Sequence, residues 1–109
     1  MANSRIRFVY KNKQYVLEFT RNSVMEMERK GFDATQVVAK PMSTLPDLFA
    51  GAFIANHSST RKKLIDEIYS HFDDKGELLS ALCEMYRIVL EEFADELEKS
   101  GNGVSWERE

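Results

Sequence analysis

The sequence has almost no cysteine. Of 109 residues only Cys83 carries a thiol. No disulfide can close within the chain, so a reducing compartment, the cytosol, is expected. The first residues, Met-Ala-Asn-Ser-Arg, contain no apolar core of signal-peptide type. No apolar run approaches the ~18 residues that a membrane span requires, and no membrane partner is expected. Basic charge is not in excess either. Lys and Arg number 15 against 18 Asp and Glu, for a net charge of -3. Phosphate backbones demand a clustered cationic surplus, so nucleic acid is not an expected ligand. The densest basic cluster, Arg61-Lys62-Lys63, reads as the solvated start of a helix.

Recognisable chemistry is also missing. There is no serine elbow, phosphate loop or glycine-rich nucleotide fingerprint. The two histidines, His57 and His71, show no metal-ligand spacing, and a single cysteine cannot complete a site. Asp73-Asp74 and Glu91-Glu92 read as solvated helix-end and helix-face charges. Cys83 falls in an apolar helical stretch and reads as a small buried hydrophobe. No catalytic residue, metal or cofactor is expected, and the chain does not read as an enzyme.

What is present is the patterning of one α+β domain over residues 1–100, an N-terminal β-hairpin followed by a small bundle of about four helices, the last one long. Residues 5–19 form the hairpin. Ile6, Phe8 and Tyr10 alternate with Arg7 and Val9, and the alternation resumes at Tyr15, Leu17 and Phe19 after the turn Lys11-Asn12-Lys13-Gln14. Thr20 caps the first helix, with Phe19 and Val24 as a hydrophobic staple and Gly31 at its end. Residues 32–43 connect, as a short helix or a strand, with Phe32, Val37 and Val38 directed to the core. The second helix is expected over 45–56, capped by Thr44 with Asp47, with Pro46 in the first turn. Its stripe is Leu45, Leu48, Phe49, Ala52 and Phe53. Gly51 inside it implies close approach of another element, and Asn56 and His57 are expected to close it on its last carbonyls. The third helix, about 60–72, turns Leu64, Ile65, Ile68, Tyr69 and Phe72 inward.

The fourth helix is predicted over 75–99, capped by Asp74 with Glu77. At 1.5 Å per residue it spans roughly 37 Å, enough to cross or overhang a domain of this size. One stripe is Leu78, Leu82, Met85, Val89 and Phe93, and an adjacent one is Leu79, Tyr86, Leu90 and Leu97. Either the helix is central to the fold or one stripe docks a second chain. Residues 101–109 read as a mobile tail in which Trp106 is an anchor for a partner or a lid. The candidate partner-binding residues are Tyr86, Leu90, Phe93, Leu97 and Trp106. Hairpin edges and spare apolar helix surface also predict self-association.

Four stretches carry a family resemblance: Tyr15-Val16-Leu17-Glu18-Phe19-Thr20-Arg21, Met27 through Gly31-Phe32-Asp33, Lys40-Pro41-Met42, and Leu48-Phe49-Ala50-Gly51-Ala52-Phe53 with Asn56-His57. With these, and with its Trp-containing tail, the chain resembles small proteins of siphophage and prophage tail-gene modules regarded as tail assembly chaperones. The resemblance implies a binding protein that keeps the tape-measure protein soluble while tail-tube subunits assemble around it. It also implies that some members are made in two lengths by translational frameshifting. A structural minor tail or head–tail connector component, and a small regulatory protein, are the competing expectations.

Overall fold

The computed structural model of the chain describes residues 5–99 and 107–108, with side chains through residue 96 in the last helix. Strand β1 (Ile6–Tyr10) pairs antiparallel with β2 (Lys13–Leu17), Phe8 standing opposite Tyr15. The turn is tighter than the expected four residues, because Lys11 (φ 50°) and Asn12 (φ 66°) are both left-handed. Two such residues reverse a chain with the twist that the flanking strands need. Lys13 and Gln14 therefore already belong to β2. Ile6, Phe8, Tyr10, Tyr15 and Leu17 face the helices.

Helix α1 (Arg21–Arg29) is bounded as its sequence predicts. The Thr20 hydroxyl accepts from the Ser23 amide at 3.1 Å, and the Ser23 hydroxyl accepts in return from the Thr20 amide at 2.8 Å. The Ser23 half of this box was not anticipated, since glutamate or glutamine is the usual partner. At the other end Gly31 (φ 96°) is left-handed. The amides of Gly31 and Phe32 donate to the carbonyls of Glu28 and Met27, a double closure that satisfies orphan carbonyls.

The connector holds one short helix, α2 (Gln36–Ala39), followed directly by α3 (Pro41–Gly51) and α4 (Ile54–His57). Three expectations are corrected here. First, Val38 is 91% exposed and does not reach the core. Second, the helix begins at Pro41, not at 45. Lys40, restricted by the following proline, sits at φ -136°, ψ 64°, and Pro41 supplies a helical φ with no orphan N–H. Thr44 is then interior and caps nothing; its hydroxyl donates to the Gln36 carbonyl at 3.3 Å. Pro46 falls inside the helix, so it lacks the bond to the Met42 carbonyl. Third, the expected 45–56 helix is broken at Ala52-Phe53. The Ala52 carbonyl accepts from the Glu18 amide at 3.2 Å, so it is committed to the residue that follows β2.

Helix α5 (Lys62–His71) buries Ile65 and Ile68 and sets Leu64, Tyr69 and Phe72 half-buried beside them. Tyr10 donates its hydroxyl to the Glu67 carboxylate, and Lys11 pairs with the same carboxylate at 3.0 Å. These contacts pin the hairpin tip to α5, and they lower the Glu67 carboxyl and raise the Tyr10 phenol in pKa. The last helix, α6 (Lys75–Lys99), has the predicted bounds, and the Asp74 carboxylate accepts from the Glu77 amide at 3.0 Å.

Phe53 sits at the centre of the core. Its ring meets Phe8, Tyr15, Phe49 and His57 at centroid distances of 6.5, 5.8, 5.2 and 6.3 Å. Phe49 reaches on to Tyr69 and Phe72. Edge-to-face aromatic pairs are worth about 0.5–1.5 kcal/mol beyond their buried area, so this cluster binds hairpin, α3 and α5 together. Gly51 lies against Met27: a Cβ there would stand 2.4 Å from the Met27 Sδ and Cε.

Two stability measurements check this packing. Phe53→Ala should cost about 3–5 kcal/mol in denaturant unfolding; an unchanged midpoint would remove Phe53 from the core. Gly51→Ala should cost about 1–2 kcal/mol, because overpacking at Met27 outweighs the gain in helix propensity. In a Met27→Ala background the same change should become neutral or stabilising, a coupling that a double-mutant cycle reads directly.

Candidate functional site

Two features of the molecule go beyond core packing. One is a polar latch between α4 and β2, and the other is the outer half of α6.

The latch closes the outer edge of β2. In a hairpin with this two-residue turn, Gln14 and Val16 point their backbone groups away from β1. The Val16 amide donates to His57 Nε2 at 3.0 Å, and the Asn56 amide nitrogen donates to the Val16 carbonyl at 3.2 Å and to Glu18 Oε2 at 2.7 Å. Asn56 and His57 therefore do not close their own helix, as expected from sequence. They act as a surrogate third strand. Helix α4 is one turn long and ends against the sheet, so its side chains reach strand backbone more readily than its own carbonyls. Because Nε2 accepts, the imidazole is neutral with its proton on Nδ1. Burial lowers the His57 pKa, and the Lys13 ammonium lowers it further.

The outer half of α6 is where the candidate binding residues were placed, and the structure separates them. Tyr86 is only 5% exposed. Its ring packs on Phe19 at 5.4 Å and Phe32 at 5.6 Å, so it belongs to the core and not to a docking face. The expectation failed because the loop after α1 carries Phe32 across this turn of α6. Leu90 (40% exposed) and Phe93 (38%) do reach the surface. The side chain of Leu97 and all of Trp106 lie outside the described residues.

Burial along α6 falls in one direction. Leu78, Leu82, Met85 and Tyr86 are buried, Ile88 and Val89 are half-buried, and residues 90–96 are exposed. Between α6 and the start of α1 runs a groove of about 230 Å³, lined by Phe19, Arg21, Met85, Val89, Phe93 and Glu96 among others. The Arg21 guanidinium lies 4.6 Å from the Phe93 ring centroid and pairs with Glu96. Glu91, Glu92, Asp95 and Glu96 rim the exposed stretch, with no basic residue between 88 and 96.

The family described as a domain of unknown function (DUF5055) matches residues 1–109. The chain belongs to this family. No curated protein and no solved structure matches it. The DUF5055 chain holds no metal-ligand cluster of three or more His, Cys, Asp or Glu among the described residues. Among the described residues no helix is long and apolar enough to cross a membrane. Cys83 is half-buried, and burial raises its thiol pKa, which opposes formation of a reactive thiolate.

The latch makes stability depend on pH with a definite sign. The folded-state pKa of His57 lies below its unfolded value. Its contribution is therefore fully present above the unfolded pKa, about 6.5, and is lost as pH falls through the depressed folded value. The hydrogen bond to Val16 is worth about 1 kcal/mol. Thermal melts should accordingly show a drop in Tm on acidification through this window that is smaller in His57→Gln, whose carbonyl can still accept from Val16. An identical acid profile in both proteins would show that His57 does not govern it.

Proposed function

We propose that this DUF5055 protein is a non-enzymatic phage tail assembly chaperone, which holds amphipathic helical segments of a tape-measure-like client along the outer half of α6 in the host cytoplasm. The observation that carries this reading is the continuation of the α6 apolar stripe beyond its own core. Met85 and Val89 are covered by α1 and Phe19, whereas Leu90 and Phe93 extend the same surface into solvent. Exposed apolar groups in a row are a liability unless a partner covers them. A client helix laid beside α6 would cover them by the helix-in-groove mode. The acidic rim at Glu92 and Asp95, beside Glu91 that pairs with Arg87, favours a client whose apolar stripe is flanked by Lys or Arg. The resemblance to tail-module chaperones supplies the identity of the client, with tail-tube subunits as a further partner class and self-association on the same apolar surface.

Co-expression with a tape-measure protein tests this. Wild type should keep the client soluble, and Phe93→Ser and Leu90→Ser, which leave the core intact, should lose about 2 kcal/mol of binding or more, roughly 30-fold in affinity. A folded double variant that solubilises the client as well as wild type would move the binding site elsewhere. The chain should be absent from purified tails; stoichiometric presence there would make it a structural tail component instead.

A further inference from the structure

The hairpin has two edges, and the fold treats them differently. The outer edge of β2 is closed at Val16 by Asn56 and His57 and at Glu18 by the Ala52 carbonyl. On β1 the register places Ile6, Phe8 and Tyr10 in the bonded pairs, so Arg7 and Val9 direct their amides and carbonyls away from β2. No described residue bonds to these groups. Val9 is 68% exposed, and Ile6, Phe8 and Tyr10 on the inner face pack against the core yet remain half-buried.

We infer that the free edge of β1 is a second docking site, which takes an extended acidic segment of a partner protein as an added strand. Charge selects the occupant. Arg5 and Arg7 project from the outer face of β1, with Lys11 and Lys13 at the turn. Arg5 is shared with Glu18 at 3.5 Å and Lys11 with Glu67 at 3.0 Å, whereas Arg7 makes no ion pair with another described residue. A second copy of the chain is a poor occupant. A two-fold antiparallel pairing centred on Arg7 sets that residue against itself. One centred on Phe8 brings Arg5 beside Lys11 of the other copy. Like charges directly opposite destabilise a sheet. An incoming strand that alternates carboxylates with apolar residues meets both faces at once. Its carboxylates lie beside Arg5 and Arg7, and its apolar residues complete the cover over Ile6, Phe8 and Tyr10. Its backbone bonds to Arg7 and Val9, the strand-addition mode of peptide recognition. This site is separate from the α6 groove and does not rest on the proposed client.

The test uses the full chain, isotope-labelled, and a capped synthetic peptide alternating glutamate and valine, with a lysine–valine peptide of equal length as control. The acidic peptide should bind, with the Arg7 and Val9 amides becoming protected from exchange. Val9→Pro removes an outward N–H without touching the β1–β2 ladder, and should weaken binding roughly tenfold or more. Arg7→Glu changes an exposed side chain only, so it serves even where the proline variant folds poorly. It should weaken the acidic peptide by a similar factor and transfer preference to the lysine peptide. Absence of binding, equal binding of both peptides, shifts confined to α6, or indifference to both variants would each overturn the assignment. Sedimentation in which wild type dimerises and Arg7→Glu does not would replace the acidic segment by a second copy.

Discussion

The Val16 backbone is where the sheet joins the helices. A two-stranded hairpin has too little buried surface to persist in water by itself. Its backbone groups on the outer edges also need partners wherever the helices exclude solvent. Here α4 supplies them from side chains, Asn56 to the carbonyl and His57 to the amide, while the Ala52 carbonyl takes the Glu18 amide. The break between α3 and α4 follows from this. A continuous helix would retain the Ala52 carbonyl for itself, and β2 would end against an unpaired edge.

Once that edge is held, the aromatic cluster falls into place. Tyr15, adjacent to Val16, faces inward against Phe53 and His57, and Phe8 stacks on Tyr15 at 5.1 Å. Phe53 and Phe49 stand one helical turn apart and carry the contact to Tyr69 and Phe72. The same stretch that latches the sheet therefore fills the core. Gly51 completes it from the opposite side, where only a missing side chain lets Met27 approach.

The length of α6 exceeds what this core can cover. The radius of gyration is 16.0 Å, above the ~13 Å of an average domain of about 100 residues. The 25 residues of α6 contribute to that elongation. Its apolar stripe is satisfied at the N-terminal end and exposed beyond Val89, beside an acidic surface. The outer β1 edge, which no described residue pairs, carries Arg5 and Arg7. Two unpartnered surfaces of opposite charge and different backbone geometry suit two different kinds of partner, one helical and one extended.

Much of this was legible in the residues themselves. Alternation gave away the hairpin, Thr20 and Gly31 bounded α1, and Asp74 opened α6, because capping and period-two burial are local effects that act within a few residues. The stripe from Leu45 to Phe53 was recognisable as core for the same reason. Tertiary structure decided the rest. Whether Tyr86 faced a partner or Phe32 depended on where a loop fifty residues earlier in the chain crosses the helix. Whether His57 ended a helix or closed a sheet depended on Val16, and whether the helix ran on through Ala52 depended on Glu18. Each of these joins groups far apart in sequence, Glu18 and Ala52 being the nearest pair, or competes with an equally good local hydrogen bond. The choice between local and distant partner is made by burial, and burial is a property of the packed whole rather than of any segment.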